Sequence, residues 1–126
     1  MSEVWMIDEL IEQAESVGCL VRWHRGGPKG AWLPPDTISL RYGLDDVQTA
    51  CALAHELGHV MHGDGPGCHD VQERRADEWA AKRLIRREDY ARVEEIYTHD
   101  ADMARELGVT MHLLRVWKQV QERILA

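Results

Sequence analysis

From Val47 to Met61 almost every position is apolar or small, the exceptions being Gln48, Thr49, His55, Glu56 and His59. A helix apolar nearly all round is normally buried, so this segment predicts a central helix on which the rest of the chain packs. Asp45 or Asp46 would cap its start. The run His62-Gly63-Asp64-Gly65-Pro66-Gly67 holds too many breakers to continue it. Setting His, Glu and His among Ala, Leu, Val and Met costs several kcal/mol unless each finds a partner, and a metal ion is such a partner.

The segment His55-Glu56-Leu57-Gly58-His59 matches H-E-x-x-H. Residues four apart lie one turn apart on one helix face, so both imidazoles reach a single ion. Zinc accepts neutral imidazole nitrogen, and a catalytic site combines three protein ligands with one open position. Glu56, one step round the helix, is placed to hold a water and take its proton as that water attacks a carbonyl. The chemistry this implies is metal-assisted peptide hydrolysis.

Two histidines leave zinc one ligand short, and Glu73 is the expected third. Glu73 and Asp77 are four apart on the next helix, which is expected to run from about Asp70 to Arg87. Small Ala80 and Ala81 would let that helix approach the metal helix near Gly58, with Asp77 accepting the second N–H of a ligand histidine. Glu73 also has a structural reading, since Asp70-Val71-Gln72-Glu73 resembles a capping box. His62, Cys68, His69 and Cys51 are further donors near the motif, for each of which a structural role is expected. The extended metzincin pattern fails, because its later positions hold His62 and Gly65.

Elsewhere Val4, Ile7, Leu10, Ile11, Ala14 and Val17 recur at helical spacing before Gly18. Leu20–His24, Ala31–Leu33 and Ile38–Tyr42 read as short strands, the last alternating apolar with Ser39 and Arg41. The remainder is helical in character with one internal break at Gly108. The expectation is an α+β fold, a small three-stranded sheet packed on a mainly helical zincin-like domain. Its parts would be an N-terminal helix over 1–18, the sheet over 19–42, the metal-binding helices over 45–87 and a helical C-terminal part over 88–126.

With 126 residues the chain is the length of one domain, and such a domain buries roughly two-thirds of its unfolded surface without needing disulfides. The net charge of −7 disfavours a surface built to grip phosphate backbones. Three cysteines with no paired spacing, acidic residues at the start and no long apolar run point to a reducing, cytoplasmic setting.

Ala54-His55-Glu56-Leu57-Gly58-His59, with His62 close behind, followed by Glu73-Arg74-Arg75-Ala76-Asp77-Glu78-Trp79-Ala80-Ala81, resembles the ImmA/IrrE family of metallopeptidases and its E-x-x-A-N/D-x-F-A-A stretch. Weaker likeness extends from roughly Leu20 to Val120, and Trp79 replaces the usual Phe. The resemblance implies a gluzincin-like site with Zn2+ held by His55, His59 and Glu73, Glu56 as catalytic base and Asp77 behind a ligand. It also implies a substrate that is a DNA-binding repressor or antitoxin of a mobile element, phage or stress response. The strand Ile38–Tyr42 is expected to pair with extended substrate beside the metal. The chain holds little beyond a minimal peptidase core, so no sensor domain is expected. An oxyanion donor is left open among Tyr42, Tyr90, Tyr97, His99 and His112.

Residues 100–124 resemble a helix-turn-helix, with Gly108 in the turn and Thr110 as cap. From Thr98 to Ala126 four acids meet four bases, a poor balance for DNA, so packing or partner docking is the expected role. Two rival readings stand beside the peptidase: a zinc module that binds a regulator without cutting it, and a DNA-binding regulator with a structural metal.

Overall fold

The computed structural model describes residues 4–67 and 69–125; Cys68 and the side chain of Val4 lie outside the described residues. The elements run α1 (Val4–Ser16), β1 (Leu20–His24), β2 (Gly30–Leu33), β3 (Thr37–Arg41), α2 (Asp46–Met61), α3 (Asp70–Leu84), α4 (Arg87–Ile96), α5 (Asp100–Leu107) and α6 (Met111–Leu125). The fold is α+β, as expected. On α1 the apolar stripe turns Leu10 and Ala14 fully inward, whereas Val17 lies past the last turn and is exposed.

The sheet has the order β1-β3-β2, with β1 parallel and β2 antiparallel to β3. The expectation that Ile38–Tyr42 pairs with substrate is therefore overturned: β3 is central, and both its edges are taken. Its Ile38, Ser39 and Leu40 are all buried, while Tyr42 falls beyond the strand, exposed and stacked on Trp23. The strand with an unpaired edge beside α2 is β2.

Helix α2 is capped by Asp45, whose carboxylate accepts from the Gln48 amide at 2.7 Å. It ends in a Schellman turn. The amide of Gly63, at φ 68°, donates to Val60, and that of Asp64 donates to His59. The most extensive packing in the molecule is α2 on α3. A β-carbon on Gly58 would lie 2.8 Å from the Ala76 backbone, so the close approach is at Ala76 rather than at Ala80 and Ala81.

Three further expectations are corrected. Asp70 is the first helical residue of α3 and His69 is the N-cap, without a side-chain bond, so the capping box does not form. Helix α3 stops at Leu84 rather than Arg87, because Ile85 adopts an extended backbone to bury its side chain completely. The C-terminal part breaks again at Tyr97–His99, so Gly108 is not its one interruption. At Gly108 the turn between α5 and α6 forms as expected, with Thr110 accepting from the Leu113 amide at 3.2 Å. Helix α6 buries Leu113, Leu114, Trp117 and Val120. Among the described residues no helix is long and apolar enough to cross a membrane.

Candidate metal centre

Because His55 and His59 occupy one face of α2 and α3 crosses in backbone contact at Gly58, Glu73 projects between the two imidazoles. Its Oε2 lies 2.7 Å from His55 Nε2, and its Oε1 lies 3.1 Å from His59 Nε2. One donor atom from each of these three residues falls within 4.8 Å of the others, the cluster found among the described residues. The rings meet edge to face, their centroids 4.9 Å apart.

Each histidine is held from behind by a carboxylate. Asp77 Oδ1 is 2.7 Å from His55 Nδ1, and Asp64 Oδ2 is 2.9 Å from His59 Nδ1. With both Nδ1 atoms engaged, both Nε2 atoms face Glu73. Two imidazole nitrogens and one carboxylate, oriented by outer carboxylates, are the donor set of a catalytic divalent metal with a position left open. The residues fit such an ion.

Burial disfavours the charged form of His55, but its bond to Asp77 and the charges of Glu56, Asp77 and Glu73 outweigh this and raise its pKa to about 9. Burial likewise opposes ionisation of Asp77, yet its bonds to His55 and His112 hold it below the usual carboxylate range. Glu56 behaves oppositely. Its side chain is buried, and desolvation pushes its pKa up, against the opposing pull of His55 and His59 and of the hydrogen bond from the Trp32 amide. A buried carboxylate whose pKa is raised, set in a cleft beside candidate metal ligands, has the character of a general base.

Strand β2 supplies the wall against which Glu56 rests. Gly30 packs so closely that an added β-carbon would lie 3.0 Å from Glu56 Oε2. Trp32 Nε1 donates to the Asp64 carbonyl at 2.8 Å. These groups line a cleft of about 640 Å³ with β2 on one side, the cluster at its floor and the start of α6 on the other.

The other donors fall elsewhere. The His62 Nδ1 hydrogen bonds to the Gly58 carbonyl at 2.6 Å, turning the ring back on its own helix. Cys51 is buried along the cleft wall, outside the cluster. His69 is exposed at the start of α3. Of the five oxyanion candidates, His112 alone lines the cleft, with its Nε2 2.8 Å from Asp77 Oδ2. Tyr42 stacks on Trp23, Tyr90 packs on Trp117, Tyr97 packs against the core and His99 precedes α5.

Sequence reasoning missed Asp64, treating it as one residue of a breaker-rich loop. It is buried, paired with Arg75 at 3.0 Å as well as with His59. The signal was the Gly63 that folds the chain back after α2. Gly30 and Trp32 had no local signal, because their role depends on strand order.

No curated protein and no solved structure matches the chain. The family model described as the IrrE N-terminal-like domain, of the M78 peptidases, matches residues 14–116. That span begins late in α1, reaches into α6, and contains His55, Glu56, His59, Glu73 and Asp77. By this match the chain belongs to the ImmA/IrrE family of M78 metallopeptidases.

Proposed function

We propose that the protein is a zinc-dependent endopeptidase of the cytoplasm, cutting a specific protein that is a DNA-binding repressor or antitoxin of a mobile element, phage or stress response. The observation that carries this reading is the buried Glu56, packed against Gly30 of β2 beside the His55, His59 and Glu73 cluster in an open cleft. A purely structural metal site has no use for a base in that position.

His55, His59 and Glu73 would hold the ion, and Asp77 and Asp64 would fix their orientation. Bound there, zinc supplies Lewis acidity, making water a better nucleophile and polarising the scissile carbonyl. Glu56 takes the proton from the attacking water and passes it to the departing amine nitrogen, a role its raised pKa suits. Close packing of Gly30 against Glu56 limits the room in which the carboxylate can move.

Strand β2 is the docking edge for an extended peptide. The Lys29 carbonyl accepts from Arg41 of β3, so by ladder alternation the backbone groups of Gly30 and Trp32 point to the free side. The Trp32 amide already turns to Glu56. A peptide adding to this edge lies across the cluster.

The helix-turn-helix-like segment serves packing or partner docking. Its Lys118, Arg105 and Arg123 are spent on Asp100, Asp102 and Glu78, which leaves little positive charge for a phosphate backbone.

The test uses zinc-loaded wild type and Glu56→Gln as bait in a lysate of the source cell. Both should hold one equivalent of zinc, the variant should retain a partner uncut, and the wild type should cleave that same partner. If the wild type leaves every captured protein intact, the chain is a binding module and the peptidase reading is wrong.

A further inference from the structure

The charge of this chain is unevenly divided. Between Leu20 and Tyr42 lie four bases, Arg22, Arg25, Lys29 and Arg41, against the single acid Asp36, within a chain whose net charge is −7. Asp36 sits at the far end of the sheet, where its carbonyl accepts from the Leu20 amide. Arg25, Lys29 and Arg41 gather at the other end, around the β1–β2 turn.

These cations differ in state from most others in the molecule. Arg75, Arg83, Arg92, Arg105, Lys118 and Arg123 each sit against a carboxylate of the fold. Arg22, Arg25 and Lys29 are exposed, and among the described residues none has a carboxylate within 4.0 Å. The other bases without such a partner, Arg74, Lys82, Arg87 and Arg115, are scattered over three helices.

The turn that carries Arg25 and Lys29 is pinned. His24 Nε2 donates to the Pro28 carbonyl at 2.7 Å while its Nδ1 accepts from Ser39 Oγ at 2.6 Å. Arg41 Nη1 donates to the Gly27 carbonyl at 2.8 Å. Beside it the exposed rings of Trp23 and Tyr42 stack with centroids 6.1 Å apart. Lys29 and Gly30 both line the cleft, so a peptide running along β2 passes from the cluster directly onto this rigid basic end. The carboxylates lining the cleft, Glu56, Glu73 and Asp77, lie at or beside the histidine cluster, and among the described residues none of them pairs with Arg25 or Lys29.

We propose that the basic end of the sheet, formed by Arg25, Lys29 and Arg41, is a specificity surface for an acidic, extended segment of the protein substrate lying on one side of the cut bond. This rests on the peptidase reading and adds a substrate class to it. A cationic surface carried on a pinned turn steers and orients a complementary chain. A long nucleic acid would meet the acidic remainder of the surface, whereas a short acidic stretch meets only this end.

The experiment pans a randomised peptide library on zinc-loaded Glu56→Gln and separately profiles cutting of the same library by zinc-loaded wild type. Asp and Glu should be enriched in captured peptides, and on one side only of the bonds that are cut. Recovered acidic peptides should bind about tenfold more weakly to Arg25→Ala/Lys29→Ala and lose affinity as salt is raised. In Arg25→Glu/Lys29→Glu, whose exposed positions leave the circular dichroism unchanged, the enrichment should switch to Lys and Arg. Acid-enriched capture with no cutting by wild type supports the surface while overturning the peptidase reading. Capture without acidic enrichment, enrichment unchanged by charge reversal, or tighter retention of a single-stranded DNA oligonucleotide than of the acidic peptides overturns the surface itself.

Discussion

His59 and Asp64 are joined at 2.9 Å across a buried contact, five residues apart, by the same turn that ends α2. The Asp64 amide donates to the His59 carbonyl while its carboxylate engages the His59 ring. The main chain thus sets the orientation of a candidate ligand at both ends of the residue. Arg75 neutralises the carboxylate from α3, and Trp32 of β2 binds the Asp64 carbonyl. One residue therefore connects the metal helix, its neighbour and the docking strand.

Replacing Asp64 by Ala should weaken zinc binding by about 10–100-fold, the usual effect of removing a carboxylate behind a ligand histidine. Competition against a chromogenic chelator measures this directly. Asp64→Asn, which keeps an acceptor for the His59 N–H, should lose less. Equal affinity in wild type and Asp64→Ala would show that the His59 ring is positioned by packing alone.

Gly58→Ala tests the contact between α2 and α3. In an unhindered helix this change stabilises by about 1 kcal/mol. Here the new methyl would lie 2.8 Å from the Ala76 backbone, so the sign should reverse to a loss of about 1–3 kcal/mol. Chemical denaturation of the metal-free protein supplies the number. Zinc affinity should fall with it, since separating the helices carries Glu73 away from the histidines.

At Gly30 the expected outcome is different. A methyl there presses on the end of a side chain, Glu56, rather than on backbone. Gly30→Ala should change stability by less than about 1 kcal/mol, and the rate of peptide cleavage should fall by about tenfold as the base is displaced. Zinc content should stay at the wild-type value. A variant that cuts at full rate would mean Glu56 can relax without losing its place.

Tyr90 offers a test by pH. Burial, then its hydrogen bond to Glu94 and the nearby charges of Glu94, Asp100 and Glu122, push its pKa up to about 12. The fold thus favours the neutral phenol. Its contribution to stability is complete below the unfolded value of about 10 and is lost as the pH climbs through the folded value. The alkaline absorbance titration of wild type should contain a late tyrosinate step near pH 12 that is missing from Tyr90→Phe. If the step lost in Tyr90→Phe instead lay near the ordinary value of about 10, the burial of the Tyr90 phenol beside Glu94 would be contradicted.

Features with a local cause are legible in the sequence itself. The apolar run of α2, its Asp45 cap, the Gly108 turn and the Thr110 cap each depend on residues within a turn of one another. The spacing of Glu73 and Asp77 on one helix face carried over to the structure, where both reach His55. What failed was set by distant parts of the chain. Ile85 and Arg86 contain no breaker, and the helix stops there because burying Ile85 outweighs one more turn. Asp70 resembled a cap, but the helix begins one residue earlier than such a box needs, and its charge acts instead on the positive end of the helix. Strand order is not written in alternation, so the sequence alone does not distinguish the central β3 from the edge strand β2.

The contact of Gly58 with Ala76 gauges the centre in a particular way. Where a glycine of one helix rests on the backbone of the other, their closest separation is set by main chain and not by the size of an intervening side chain. Sequence drift can therefore remodel the rest of this small protein while the jaws of the site keep their width.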